Sequence, residues 1–342
     1  MDYFCKVSGA TGLSLSIVSG GEEAYAKHFG FRDLDAKEAP DGETTYFIGS
    51  VIKGNLLLPK SESIRTWAAQ PVVRDFRSDF LYNNYAYDVV GRSIEMIEQK
   101  NLQEVFKERD LAGNPNAAKA YYTLEDAASY EVPIPTISRE TIMGAGGAIR
   151  SCTNDLAKYY NSFMHAVNHQ FNNKTTSTPD SPFKKLSTIL RPHNQLDLTS
   201  LREQSYAQGW GQTETAIIAM QNSSGLGDAY DWIPEIIIQK LSGSTECIDF
   251  LHLAAVAAKT ALSLPVKIQD ELQKRRERGT RHLDLEAYTG RYWNALQNFS
   301  IDVSIRNDRL YMNFQDIVNE TYELRHAKDE DGELKDEWVF IG

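Results

Sequence analysis

Ser50 and Lys53 spell the most direct chemistry in this sequence. They stand three residues apart in Tyr46-Phe47-Ile48-Gly49-Ser50-Val51-Ile52-Lys53-Gly54, and residues at that spacing share one face of a helix. An amine held beside a hydroxyl can take its proton, or orient it, as the oxygen attacks an acyl carbon. A helix N-terminus at the serine adds partial positive charge that favours the developing alkoxide. The spelling alone is cheap, because Ser181-Pro182-Phe183-Lys184 repeats it in a polar, proline-broken stretch that reads as loop. A second pair, Tyr82 and Asn84 in Tyr82-Asn83-Asn84, stands ahead of a helix predicted over 85–107. A phenol can relay a proton to a leaving group, and an amide can orient both a lysine and a substrate carbonyl. Tyr159-Tyr160-Asn161 and Tyr292-Trp293-Asn294 share the Tyr-x-Asn spelling. The first falls inside a predicted helix and the second in a predicted β region, so both read as structural.

The elements that must position these residues follow from periodicity. Gly12 to Val18 and Glu23 to Phe31 alternate like strands around Ser19-Gly20-Gly21-Glu22, which reads as a β-hairpin with a Gly-Gly turn. A polar segment, Arg32 to Thr45, leads to the short apolar run before Ser50. In the 85–107 helix, Val89, Val90, Ile94, Ile97 and Phe106 form an apolar stripe, with Glu95, Glu98 and Lys100 off it. Pro133 and Pro135 mark extended chain. Gly144-Ala145-Gly146-Gly147-Ala148 makes a tight turn, and Thr153-Asn154-Asp155 caps a helix to about Val167 with Leu156, Tyr159, Tyr160, Phe163 and Met164 inward. Asn172 to Pro182 reads as loop, 214–221 as a buried strand, and 233–241 and 248–262 as helices. Composition shifts near residue 280. Beyond it, short alternating runs at 290–293, 300–305, 309–314 and 320–324, with turns at Asn307-Asp308 and Asp331-Gly332, read as an all-β appendage, a partial barrel or sandwich.

Bulk properties narrow the function classes. The chain has 342 residues, 42% hydrophobic, with a net charge of −11, room for one large domain and a smaller one, or for two to three domains. An acidic chain repels phosphate backbones, so nucleic-acid binding is disfavoured, and the basic run Lys274-Arg275-Arg276-Glu277-Arg278 reads as a solvated helix end or linker. Cys5, Cys152 and Cys247 are widely spread and odd in number, which indicates neither a disulfide framework nor a zinc site. His165 and His169 stand four apart without a third ligand in the pattern and read as surface or helix-end residues, while Trp210, Trp232 and Trp293 read as packing. Gly144 to Gly147 lacks the following Lys-[Ser/Thr] of a phosphate loop. The first residues carry no basic, then apolar, leader, and the apolar stretch from Leu251 to Leu264 is interrupted by Lys259 and reads as too short to span a bilayer. The expectation is a soluble, cytoplasmic protein.

These motifs, in order, resemble the serine β-lactamase and D-alanyl-D-alanine peptidase superfamily, whose members include the penicillin-binding proteins. The nearest branch is the class C-like one, with its esterase relatives and the fungal β-lactamase/transpeptidase-like proteins. The resemblance rests on the opening hairpin, on Phe47-x-Gly49-Ser50-x-x-Lys53 and on Tyr82-Asn83-Asn84-Tyr85-Ala86-Tyr87. It continues through Gly144-Ala145-Gly146-Gly147 with Arg150-Ser151 and Thr153-Asn154-Asp155-Leu156, Gly209-Trp210-Gly211, and Tyr288-Thr289-Gly290-Arg291-Tyr292 at the start of the β appendage. It implies an α+β fold (α/β in the broad sense), an antiparallel sheet flanked by helices with a helical subdomain, plus a small C-terminal all-β domain. The expected domains are 1–280, β-lactamase/transpeptidase-like, and 281–342, β-barrel-like. It also implies Ser50 as the acylated nucleophile, Lys53 as its base, Tyr82 as proton relay and Asn84 as substrate-positioning amide. Such chemistry requires no metal or organic cofactor and takes a small-molecule ester or amide, with no nucleic-acid or membrane partner.

The sequence also departs from the pattern. The family's third motif, Lys-Thr-Gly or His-x-Gly on the strand lining the site, supplies a cation or donor and an oxyanion-hole N–H. No Lys-[Ser/Thr]-Gly occurs, and His28-Phe29-Gly30 spells His-x-Gly only on the N-terminal hairpin. The chain reads as shortened after Lys53, near 108–115 and after Gly211. Losing one oxyanion donor costs about 3–4 kcal/mol in comparable sites, a rate loss of roughly 10²–10³. Two functions therefore stand side by side: a serine acyl hydrolase or transacylase, or a non-hydrolytic relative that binds a small molecule, scaffolds, or runs another cofactor-free reaction.

Overall fold

The computed structural model describes residues 2–48, 58–73, 83–101, 114–124, 128–132, 134, 141–142, 144–147, 149–191, 194–195, 205–206, 215–243, 248–275, 283–318, 320–327 and 337–341. Helix α1 (Asp2–Ser8) leads into strands β1 (Gly12–Ser19) and β2 (Glu22–Gly30). These pair antiparallel from Gly12↔Gly30 to Ser19↔Glu22. Gly20 and Gly21 make the whole turn at φ +59° and +91°, positive values that a two-residue hairpin requires and that glycine adopts without a Cβ clash. The hairpin read from the sequence is present.

Strand β3 (Tyr46–Phe47) follows the polar segment and precedes helices α2 (Ser63–Ala68) and α3 (Asn84–Glu98). Strands β4 (Ala120–Thr123) and β5 (Ser129–Val132) form an antiparallel pair. The single turn α4 (Gly144–Gly147) comes next, then β6 (Arg150–Ser151), which pairs with β3, and the long helix α5 (Thr153–Asn173). Past the short helix α6 (Leu186–Ile189) and the small ladder of β7 (Asn194–Gln195) with β8 (Ser205–Tyr206), strand β9 (Thr215–Gln221) returns to β1. It pairs antiparallel from Ser19↔Thr215 to Leu13↔Gln221. Strand β10 (Ser223–Ser224) then joins β4 in parallel, and helices α7 (Ala229–Leu241) and α8 (Phe250–Arg275) follow.

Alternation along β1 and β9 decides which helices cover which face. Leu13 and Leu15 point into a cluster with Phe4, Ala229, Ile233 and Phe250 from α1, α7 and α8. Val18, Ala216, Ile218 and Met220 point the other way, onto Ala157 and Met164 of α5 and Tyr46 of β3. An antiparallel sheet in the order β2-β1-β9 is thus covered by helices on both sides, the α+β arrangement expected.

The C-terminal part is a five-stranded antiparallel meander. Strands β11 (Gly290–Trp293), β12 (Ser300–Arg306), β13 (Arg309–Phe314), β14 (Thr321–Ala327) and β15 (Glu337–Ile341) lie side by side in chain order. Asn307 and Asp308, both at positive φ, turn β12 into β13 where the sequence predicted a turn.

Several expectations need correction. Helix α3 stops at Glu98, not residue 107, because Gln99 adopts the left-handed conformation at φ +53°. Its buried face is also not the apolar stripe. Asn84, Asp88, Gly91 and Glu95 are buried, whereas Val90, Met96 and Ile97 are exposed. The buried side faces hydrogen-bond partners, so polar pairing rather than apolar area orients this helix. Helix α5 runs to Asn173 and leaves Tyr159 about half exposed, its ring against Phe163 and Phe183. Trp232 packs as expected, but Trp293 is largely exposed. Helix α8 continues through Pro265 to Arg275, and its Phe250–Leu272 stretch is long and apolar enough, by length and composition, to cross a membrane. Lys259 reads as an interruption in the sequence, yet it does not end the helix.

Candidate functional site

Ser50, Lys53 and Tyr82 lie outside the described residues, as do Gly209, Trp210 and Gly211. Asn84 is described, and so are the residues that flank the other three. Phe47 stands three residues before Ser50, Leu58 five after Lys53, and Tyr85 three after Tyr82. Phe47, Leu58, Tyr85, Ile142 and Phe299 meet in one apolar cluster, with Leu58 and Ile142 its buried centre. The main chain reinforces this junction, since Ile142 N–H donates to the Leu58 carbonyl at 2.9 Å. The Arg150 guanidinium lies over the Phe47 ring at 5.5 Å.

Asn84 opens α3. Asn83 caps the helix in an extended conformation, its side chain accepting from Ala86 N–H at 3.3 Å. That cap fixes Asn84 as the first helical residue, 6% exposed. Its carboxamide Oδ1 has no hydrogen-bond partner among the described residues. A buried polar atom left unpaired costs about 1–3 kcal/mol, and such orphans recur where a ligand supplies the missing partner. Gly146 of α4 packs directly on Asn84. A Cβ at Gly146 would lie 3.1 Å from the Asn84 carbonyl oxygen, so the small-residue turn read from the sequence permits close approach.

One turn further along α3, Asp88 ties three elements together. It is 2% exposed, and its carboxyl accepts from the Ser63 hydroxyl of α2 at 2.8 Å and from Ala145 N–H of α4 at 3.1 Å. Glu95, two turns further down the same face, pairs with Lys60 and with Arg92. The sequence reading missed Asp88, although Asn84, Asp88, Gly91 and Glu95 repeat at helical spacing.

The His-x-Gly spelling belongs elsewhere. His28 sits on β2, at the opposite edge of the sheet from β9. Its Nδ1 is 2.9 Å from the Ser14 hydroxyl, which is 2.8 Å from the Tyr46 phenol. Burial holds the His28 imidazole below its ordinary value, against the upward pull of Asp41 and Glu23. Burial likewise pushes the Tyr46 phenol well up, over the opposing Ser14 hydrogen bond, and Asp41 adds to the rise. This is a structural hydrogen-bond chain linking β1, β2 and β3. Ser181 is similarly structural, its hydroxyl accepting from Phe183 N–H in a loop. His165 and His169 stack at 6.5 Å between ring centres, and no metal-binding cluster occurs among the described residues.

The profile of a domain of unknown function, DUF3471, matches residues 274–333. No curated protein matches the chain. The octameric penicillin-binding protein homologue from Pyrococcus abyssi is similar with a TM-score of 0.51 and 15% identity, over 97% of this chain and 91% of that one. SurE gives a TM-score of 0.49 at 13% identity, over 96% and 88%. A β-lactamase/D-alanine carboxypeptidase from Pseudomonas syringae gives 0.47 at 10% identity, over 71% and 96%. The first of these likenesses shows that the chain has a penicillin-binding-protein-like fold.

Proposed function

We propose that this protein is a serine acyl hydrolase or transacylase acting on a small ester or amide. Ser50 Oγ attacks the acyl carbon as its proton passes to Lys53. Tyr82 relays a proton to the departing alcohol or amine, which leaves as the acyl-serine ester forms. Water, or a small-molecule nucleophile, then reverses the sequence and frees Ser50. Asn84 holds the acyl group in place.

The observation that carries this reading is the buried, unpartnered Oδ1 of Asn84. A substrate N–H, or the Lys53 ammonium, would complete that atom. The convergence of Phe47, Leu58 and Tyr85 supports it, since chain segments leading to Ser50, Lys53 and Tyr82 share one cluster. The order of motifs favours the class C-like branch and its fungal relatives, with residues 1–280 as the acyl-transfer domain and 281–342 as an appended β domain. The acidic chain fits a cytoplasmic enzyme of small molecules better than a partner of nucleic acid.

One observation favours a second reading. His28-Phe29-Gly30 is committed to the hairpin and to Ser14, so it does not serve as third motif. A chain short of an oxyanion donor would turn acyl compounds over roughly 10²–10³-fold more slowly, which leaves binding as its main act. Hydrolysis of p-nitrophenyl esters and of a D-alanyl dipeptide amide separates the two. The enzyme reading expects turnover lost in Ser50→Ala and lowered about 10²-fold or more in Lys53→Ala. Ligand binding with no turnover in folded protein supports the second.

A further inference from the structure

The C-terminal sheet reaches the proposed site through one turn, 294–299, between β11 and β12. The turn is stiffened from within. The Asn294 side chain accepts from Asn298 N–H at 3.1 Å and from Phe299 N–H at 3.2 Å, and donates to Asn298 Oδ1 at 2.8 Å. Gln315, just past the end of the neighbouring strand β13, donates to the Asn298 carbonyl at 3.2 Å and accepts from Ser300 N–H at 2.8 Å. So preorganised, the turn grips the segment 58–68. Asn298 donates to Glu62 at 2.6 Å and to Thr66 at 3.2 Å, and Arg65 donates to the Leu296 carbonyl at 2.6 Å. Phe299 enters the cluster of Phe47, Leu58, Tyr85 and Ile142. Behind it, Phe314 and Tyr322 continue an aromatic row at ring-centre spacings of 5.9 and 5.7 Å.

We infer that Phe299 and Asn298 are positioning residues, and that the C-terminal sheet is a clamp on the acyl-transfer site rather than a detached appendage. Residues 58–68 and the start of α3 are held by a turn of the C-terminal sheet. Geometry of this kind matters because small displacements of reacting groups cost large rate factors. The clamp itself is a matter of contacts, while its effect on rate rests on the acyl-transfer reading above.

The test uses the full chain and two readouts. Amide hydrogen exchange in Phe299→Ala and Asn298→Ala should rise about 10-fold over residues 58–69 and 84–88, because local opening becomes easier where anchoring contacts are lost. Leu186→Ala, which empties a buried position in the separate Phe163 cluster, is the control for general destabilisation and should leave those segments unchanged. Unchanged exchange in both Phe299→Ala and Asn298→Ala, or an equal rise in Leu186→Ala, overturns the clamp. For ester turnover, kcat in Phe299→Ala should fall about 10-fold with KM within about twofold, and Phe299→Leu should restore most of it. A kcat equal to wild type overturns the positioning role. Ser50→Ala assayed alongside keeps the two ideas apart. Turnover that survives in Ser50→Ala refutes the acyl-serine reading, and the exchange result still judges the clamp.

Discussion

Replacing Asp88 tests how the candidate site is held together. Its carboxyl is 2% exposed and accepts from Ser63 Oγ at 2.8 Å and from Ala145 N at 3.1 Å. In Asp88→Ala both bonds go. The one hydroxyl hydrogen of Ser63 lies between Asp88 and the Lys60 carbonyl, 2.8 Å from each, and passes wholly to Lys60, so the loss there is at most that of one ordinary hydrogen bond, about 1 kcal/mol. The Ala145 N–H is partly buried and is left unpaired, which costs about 1–3 kcal/mol. The expected total is about 2–4 kcal/mol, before any cavity penalty. Asp88→Asn keeps a carbonyl oxygen for Ala145 N–H, and the Ser63 hydroxyl can turn to accept from the new amide. Its expected cost is under about 1 kcal/mol. Urea denaturation of the three proteins measures these differences. An Asp88→Ala protein within about 0.5 kcal/mol of wild type, or an Asp88→Asn protein equally destabilised, would refute the reasoning.

Gly146→Val should destabilise by about 1–3 kcal/mol through overpacking on Asn84, and should lower ester turnover more than a surface substitution of equal stability cost does. Gln170, 2% exposed, donates to Phe183 O and Thr178 Oγ and accepts from Leu186 N. Gln170→Ala therefore takes the partner from the buried Leu186 N–H and from the Phe183 carbonyl, while Thr178 keeps its bond to the Ala166 carbonyl, and should cost about 2–4 kcal/mol in the same assay. His28 has a depressed pKa in the folded protein, through burial set against Asp41 and Glu23. The unfolded chain then binds more protons below its ordinary value near 6.5, so this contribution to stability is complete above about pH 6.5 and is lost as pH falls through that range to the folded value. His28→Gln should flatten that part of the pH–stability curve, and an unchanged slope would contradict the assignment.

The hairpin was legible because glycine is almost required at the paired positive φ angles of Gly20 and Gly21. Strand β9 was legible because Ala216, Ile218 and Met220 alternate with its other face. Helix α3 shows where such reading fails. Apolar periodicity pointed to Val90 and Ile97, but the buried face carries Asn84, Asp88 and Glu95. Asp88 and Glu95 are buried for their partners, Ser63, Ala145 and Lys60, which are distant in sequence or on another element. A hydrophobicity pattern contains no term for such partners. The same limit hid Phe299, whose role depends on a turn meeting Leu58 and Tyr85 across the chain. For the site, residue types and spacing indicated Asn84, and only the structure exposed its unpaired oxygen.

Covalent trapping separates an acyl-enzyme on Ser50 from every other reading of the site. Full-length protein is treated with a fluorophosphonate probe, digested, and mapped by peptide mass spectrometry. An acyl-serine enzyme gives one adduct, on the peptide containing Ser50, absent in Ser50→Ala and much slower to form in Lys53→Ala. Folded protein that takes no adduct, or an adduct that persists at another residue in Ser50→Ala, would contradict the acyl-serine reading.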